Sequence, residues 1–509
     1  MIDATSWAVI APEVALLTMA CVITLADLWV CSPQRSLTYW LTQACLLILT
    51  LWQAMHVTAL SLPDGSKALY GFGGMVLADA FGGWLKSLAT LALMVTLVYA
   101  RQYSAQRHML QRGGELFTLG LFGLLGIYIM ISGNHFLVIY LGLELVSLAS
   151  FALVALRREH ALSVEAGMKY FILGALASGF LLYGLSMVYG ATGTMYLPQV
   201  LMMSVKHAAQ MNTLMLGLVF IVAGLAFKLG AAPFHMWLPD VYEGAPTGAV
   251  LFVATAPKLG VFAVLVRLLV GGLLELAPQW QMMLVVLAVV SLLLGNVVAV
   301  MQSNFKRFLA YSTIGQNGFV LLAFAVSYVD GNNYLIKDAI SASMFYMITY
   351  MIAAMASLGV LMLLSREGIE CETLDDLSGL NRRYPLYAGI MLACMLSLAG
   401  VPLTVGFYGK FRVIQVLLMA QTPLHTGLAI FAVLTSVIAG YIHLRVVKVI
   451  YFDVEKRPAN VQLQGRYDMH ALLSINGALL VVFGILPAGL LYLCEQVVLN
   501  MLRHMSGMS

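Results

Sequence analysis

The chain has 509 residues, of which 61% are hydrophobic and only 10% charged, with a mean hydropathy of +0.92. Soluble domains carry about 25% charged residues, so this composition excludes a water-soluble enzyme and indicates an integral membrane protein. The formal net charge of +4 says little about partners, because most of the basic residues fall in short connections.

A membrane span needs about 20 apolar residues. On that ruler fourteen segments qualify: roughly 8–30, 38–61, 76–100, 115–132, 135–156, 165–190, 213–237, 247–271, 281–301, 307–327, 334–364, 385–420, 427–450 and 470–494. The first stretch (Trp7 to Val30) follows Asp3 rather than a basic region and precedes no cleavage site, so it reads as a retained span. The sequence therefore predicts an all-α polytopic membrane protein. Its organisation is a three-helix segment (1–110), a five-helix unit (111–275), a second five-helix unit (276–455) and a C-terminal helix (456–509).

The connections predict an orientation. With the N-terminus outside, inner loops hold sixteen Lys and Arg residues: Arg35, Arg101, Arg107, Arg112, Arg157, Arg158, Lys306, Arg307, Arg366, Arg382, Arg383, Arg445, Lys448, Lys456, Arg457 and Arg466. Outer segments hold only four, Lys67, Lys206, Lys337 and Arg503. Such a bias places both termini away from the cytoplasm. The longest polar stretches, 366–384 and 451–468, are inner loops.

Two spans are expected to break. In the seventh, Pro233 follows Lys228 and Gly230, and a proline cannot donate to the carbonyl of Leu229. The twelfth is too long to cross straight: some 35 residues reach about 50 Å, against a hydrocarbon core of about 30 Å. Gly400 and Pro402 lie inside it, followed by Gly406, Gly409 and Lys410. The breaks are five spans apart, an odd number, so the two five-helix units cross in opposite senses. Paired discontinuous helices in inverted repeats point to a transport path at the midplane.

Charges at membrane depth point the same way. Helix rise puts Glu144 about 15 Å, Lys228 about 14 Å, Lys258 about 18 Å and Lys410 about 16 Å from a membrane face, all near the bilayer centre. Buried ionisable groups are costly and mark ion or proton paths. Lysine releases a proton where arginine does not. Lys86 and Lys169 lie nearer span ends, where snorkelling explains them. Arg267 and Arg412 read as interface anchors or local ion pairs. His235 reads as a structural histidine, and the turn 237–246 as a rigid one whose acids face water.

Redox and hydrolytic chemistry have no carrier. Cys21, Cys31, Cys45, Cys371, Cys394 and Cys494 are scattered without a CxxC pair, which argues against an iron–sulfur or zinc site. No P-loop, GxSxG or dinucleotide fingerprint is present.

Several motifs carry a family resemblance: LGLELVS at 141–147, EAGMKY at 165–170, GLAFKLGAAPFHMWLPDVYEGAPT at 224–247, KRFLAYSTIG at 306–315 and GVPLTVGFYGKF at 400–411. Together they resemble the subunit N family of proton-pumping NADH:quinone oxidoreductase (respiratory complex I) over essentially the whole chain. The resemblance implies an antiporter-like subunit of the membrane arm, built from two inverted five-helix units, each with a broken helix. It implies that Glu144 pairs with Lys228, that Lys258 links two half-channels and that Lys410 lies on the exit side, with Lys169 in a secondary role. It also implies no cofactor in this chain, with NADH, FMN, iron–sulfur clusters and quinone held by partner subunits, sister antiporter-like subunits alongside, no nucleic acid, and a bacterial inner membrane. Two local differences stand out. Pro257 precedes Lys258 where many relatives have a small polar residue, so that helix is expected to open locally. Gln316 stands where some relatives carry His. A subunit of a multi-subunit sodium/proton antiporter or membrane-bound hydrogenase, and a scaffold whose charges only hold helices together, remain open as alternatives.

Overall fold

A computed structural model describes residues 4–60, 68–111, 113–206, 210–329, 331–365, 370–454 and 467–505. Lys67, Arg112, Arg366, Lys456, Arg457 and Arg466, the last residue of the second expected span and parts of both long polar stretches lie outside them, as does the side chain of Lys206.

The chain opens with α1 (Ala4–Val9) and α2 (Ala11–Asp27), split at Ile10 just before Pro12, and continues with α3 (Ser36–Leu60). A short antiparallel hairpin follows, β1 (Leu69–Gly71) on β2 (Val76–Ala78), whose second strand replaces the expected start of the third span. Asp79 ends it by accepting the amide of Gly82, which starts α4 (Ala80–Gln106) four residues later than the apolar pattern suggests. Side-chain acceptance at this position is a standard helix start. Next come α5 (Glu115–Ser132), α6 (Phe136–Val154), α7 (Ala161–Thr192), α8 (Leu197–Lys206) and α9 (Met211–Leu229). The turn expected at 237–246 is instead a short helix, α10 (Trp237–Gly244), and span 8 is divided into α11 (Thr247–Ala254) and α12 (Ala256–Leu265).

The second half contains α13 (Ala277–Val300), α14 (Phe305–Ala323), α15 (Ile336–Leu364), the single turn α16 (Leu380–Arg383), α17 (Pro385–Ala399), α18 (Val405–Met419), α19 (Pro423–Tyr451), α20 (Tyr467–Ile485) and α21 (Ala488–Met505). Among the described residues twelve helical segments are long and apolar enough to cross a membrane, with Pro385–Ala399 a shorter apolar one. The two expected spans missing from that set are those the backbone splits, at Ile10 and at Gly400.

The helices differ sharply in shielding. The most apolar window of α15 is buried along its whole length, and those of Thr247–Gly272 and Phe305–Val326 are nearly so. By contrast α3, α7, α19 and α20 present most of their apolar surface outward. The most shielded segments carry Lys258, Gln316, Asn317, Tyr346 and Tyr350.

Candidate functional site

Both expected breaks are present and close in the same way. At the end of α9, Gly230 takes φ +76°, its amide donates to Phe227 (2.9 Å), and the amide of Ala231 donates to Ala226 (2.8 Å). At the end of α17, Gly400 takes φ +84°, with Gly400 donating to Ser397 (3.1 Å) and Val401 to Leu396 (3.0 Å). This is the glycine-terminated closure that satisfies the last carbonyls of a helix, and only glycine enters the left-handed region without strain. At Gly400 a Cβ would also meet the Lys410 side chain at 2.7 Å.

Side chains also reach carbonyls in the last turn at each break. Asn317 Nδ2 donates to Leu229 (2.5 Å) and Trp237 Nε1 to Phe227 (3.0 Å). At the second break Gln316 Nε2 donates to Leu398 (3.2 Å) and Lys410 Nζ to Ala399 (2.9 Å). Helix C-termini carry partial negative charge, so an ammonium group is favoured there. Lys410 also stands 5.1 Å from the Phe319 ring centroid.

Lys228 occupies the last turn of α9, partly buried, and its ammonium donates to Ser147 Oγ (2.6 Å) and Ser178 Oγ (3.0 Å). The direct ion pair with Glu144 is not formed. Glu144 lies one turn before Ser147 on α6, within electrostatic range of Lys228, and its buried Oε1 has no hydrogen-bond partner. Two serine hydroxyls thus occupy the donors that a carboxylate was expected to take.

Lys258 shows the local opening expected from Pro257. Thr255 leaves helical geometry (φ −122°, ψ −88°), and Pro257 falls in the first turn of α12, where its missing N–H costs nothing. Lys258 is 2% exposed, donates to the Tyr350 hydroxyl (3.4 Å) and faces that ring at 4.8 Å. Tyr350 in turn hydrogen-bonds Thr313 (2.8 Å). Two cavities of about 10 Å³ flank Tyr350. One is lined by Tyr242, Ser312 and Thr313, the other by Gln316, Tyr346 and Ser397. Each is near the lower limit for one water. Tyr346 donates to Gln316 Oε1, and Ser312 bonds His443 Nε2 (3.1 Å) while His443 Nδ1 bonds the Ala439 carbonyl (2.6 Å).

The remaining bases within spans behave differently: each is paired with a carboxylate. Lys86 contacts Glu13 (2.6 Å), with Ser132 on the same oxygen (2.7 Å). It is 4% exposed, so snorkelling is wrong for it. Arg267 contacts Asp79 (2.8 Å) and the Ile131 carbonyl (2.7 Å). Arg412 contacts Glu495 (2.5 Å) and Asp338 (3.3 Å). Lys169, half-exposed on α7, contacts Glu165 (2.8 Å) and Asp240 (2.9 Å) and does not join the buried hydroxyls around Lys228 or Lys258. Its partner Asp240 also holds Arg307 (3.0 Å), so the acids of α10 are engaged rather than free in water. Burial opposes ionisation of Asp240, but Lys169 and Arg307 outweigh it and keep the carboxyl below its ordinary range.

Three of the sixteen bases expected on one face meet two nearby acids. Arg107 (2.6 Å) and Arg157 (3.2 Å) both reach Glu370, and Lys306 reaches Glu372 (2.8 Å). Among the described residues no cluster of three or more metal-binding side chains occurs.

The sequence singles out Glu144, Lys228, Lys258 and Lys410 as charges at depth but not Ser147, Ser178, Thr313, Tyr346, Tyr350 or His443, which the structure places around the lysines or their neighbours. Their only signal was polarity inside apolar spans, which many structural hydroxyls share.

Three lysines at or beside helix breaks, held by hydroxyls and a backbone carbonyl in a helical membrane fold, fit an antiporter-type membrane subunit. Residues 133–439 match the family model described as NADH:quinone oxidoreductase/Mrp antiporter, transmembrane. The chain is 53% identical to NADH-quinone oxidoreductase subunit N of Polaromonas naphthalenivorans, covering 97% of this chain and 98% of the relative. It is 47% identical to the subunit N of Herminiimonas arsenicoxydans, covering 96% and 98%. A chain of respiratory complex I from Thermus thermophilus with bound aureothin superposes with a TM-score of 0.76 at 30% identity, covering 94% and 98%. A chain of the Mrp complex from a Dietzia species shares the fold, with a TM-score of 0.80 at 19% identity over 97% of each chain. The chain belongs to the NADH-quinone oxidoreductase subunit N family.

Proposed function

We propose that this chain translocates protons across the membrane as a subunit of NADH:quinone oxidoreductase, with Glu144, Lys228, Lys258 and Lys410 as the groups that exchange them. The observation that carries this reading is the chemistry around the three lysines: hydroxyls and backbone carbonyls surround them, and no carboxylate pins any of them. An ammonium held by neutral groups gives up its proton when a neighbouring charge moves, whereas one locked to a carboxylate has a fixed partner. One charge moved through 100 mV corresponds to about 2.3 kcal/mol, a scale that small electrostatic changes reach.

In this reading 111–275 and 276–455 form the two inverted units, each contributing one half of the path, and Lys258 joins them. Lys169 takes a supporting role at the arginine-rich face. Catalysis belongs to the complex: NADH, FMN, iron–sulfur clusters and quinone reside in partner subunits, and sister antiporter-like subunits flank this one. The location is the bacterial inner membrane with both termini on the periplasmic side, supported by the distribution of Lys and Arg. The test is Lys228→Ala in the assembled complex. The expected result is retained NADH oxidation with fewer protons moved per electron; full stoichiometry in that variant overturns the role given to Lys228.

A further inference from the structure

The two breaks lie in different parts of the chain, yet one dipeptide touches both. Gln316 and Asn317 are consecutive on α14, 5% and 1% exposed. Asn317 donates to Leu229, the residue after Lys228 and the last of α9. Gln316 donates to Leu398, whose neighbour Ala399 accepts from Lys410. Consecutive side chains on a helix point about 100° apart. The pair can therefore hold two elements on different sides of α14 but cannot shift toward one without moving the other.

Each bond closes an account that the backbone leaves open. The carbonyls of Leu229 and Leu398 lie in the last turns of helices that stop inside the protein, where an unpaired acceptor is costly. Nearby polar groups are already committed: Trp237 to Phe227, Lys410 to Ala399, and Tyr346 to the oxygen of Gln316. Asn317 Oδ1 has no hydrogen-bond partner although it is deeply buried. Asn317 thus satisfies the Leu229 carbonyl through its nitrogen while its own oxygen stays unpaired, so one bond is made at this site and a second acceptor is left open to a change of partner.

We propose that Gln316 and Asn317 are positioning residues that couple the two breaks, so that a rearrangement at the Lys228 end of α9 is transmitted to the Lys410 end of α17. The mechanism is steric and electrostatic: movement of the Leu229 carbonyl pulls Asn317, turns α14 slightly, and changes the hold of Gln316 on Leu398 and therefore the carbonyl environment of Lys410. The functional meaning of this coupling rests on the proton-translocating role proposed above, but the coupling itself is measurable without it.

The experiment is hydrogen–deuterium exchange of the purified complex, read at residues 400–406, with Lys228→Ala as the perturbation. In the otherwise native chain, Lys228→Ala is expected to speed exchange there by about fivefold or more, the scale of weakening one buried hydrogen bond. In the Asn317→Leu background the same perturbation is expected to leave 400–406 unchanged, with NADH oxidation retained and fewer protons moved per electron. Gln316→Leu cuts the tie at its other end and is expected to give the same silence, so the test survives failure of either variant to assemble. An unchanged segment in Lys228→Ala alone, or an equal response with and without the amides, overturns the coupling. If Lys228→Ala abolishes pumping while no exchange signal crosses, the coupling is wrong and the proton-translocating role stands.

Discussion

Seven basic residues are expected away from the connections, and the structure sorts them into two groups. Lys86, Lys169, Arg267 and Arg412 each hold a carboxylate within 3 Å. Lys228, Lys258 and Lys410 hold none; their partners are two serines, a tyrosine and a backbone carbonyl. The first group stitches helix ends together across long sequence separations, such as Glu13 to Lys86 and Asp79 to Arg267. The second lies at or beside breaks in α9, α11–α12 and α17–α18. Depth in the membrane marks a charge as unusual, whereas the partner tells what it does. A charge paired with a carboxylate joins two elements, whereas one held by neutral groups has no fixed counter-charge, which is the basis of the proton-exchanging role proposed for it.

Substitutions that treat the two groups alike should separate them. The largest effect on stability is expected from Arg267→Met, which strands Asp79 at a site 4% exposed. Removing one partner of a buried pair costs about 3–5 kcal/mol, so assembly should fail, as read by native gels of the membrane fraction. Arg267→Met combined with Asp79→Leu should recover much of it, because no uncompensated charge remains. If Arg267→Met assembles normally, the distinction between joints and carriers fails for that residue.

Lys410→Met should behave in the opposite way. It leaves the Ala399 carbonyl without its donor, a cost of about 1–3 kcal/mol, which lowers resistance to heat inactivation but spares assembly. Proton movement per electron should fall sharply, measured as NADH-driven acidification in sealed vesicles. A variant that loses assembly and pumping together would put Lys410 with the joints. Ser147→Ala, which removes one of two hydroxyls on Lys228, should be milder. It is expected to slow turnover-linked pumping by less than about tenfold, since a single neutral hydrogen bond contributes about 1 kcal/mol.

The smallest effect concerns the arginine-rich face. Burial of Glu370 opposes its ionisation, but Arg107, with Lys306 and Arg157, outweighs this and holds its carboxyl below the ordinary range. A depressed carboxylate stabilises the fold above its unfolded value, near pH 4.5, and that contribution is lost as pH falls through the lower folded value. The clasp of Glu370 on Arg107 and Arg157 should therefore be indifferent to pH between 6 and 8, roughly, and loosen only in strong acid. Proteolysis near Arg157 as a function of pH reads it, with Glu370→Gln removing the dependence.

Much of this was legible in the sequence. Gly-Pro punctuation predicted both helix breaks, though not the left-handed glycines that close them, and Pro257 the opening at Thr255, because backbone rules act locally. Depth arithmetic singled out Glu144, Lys228, Lys258 and Lys410 because helix rise is regular. Partners were not legible. Glu13 and Lys86 are far apart in sequence, so Lys86 looked like a snorkelling residue. Ser147 and Ser178 resemble any other small residue in an apolar span, so Glu144 was expected where they stand. The hairpin at 69–78 was hidden by apolar residues that suit helix and strand equally, and only Asp79 marks where α4 begins.

The most direct test of the account is the proton-to-electron ratio of the complex carrying Lys258→Met. Lys258 contacts no acid, and its hydrogen-bond partner Tyr350 retains Thr313, so the substitution breaks no joint. The expected result is an assembled complex that oxidises NADH and moves fewer protons per electron. Assembly with an unaltered ratio would contradict the claim that the unpaired lysines carry the protons.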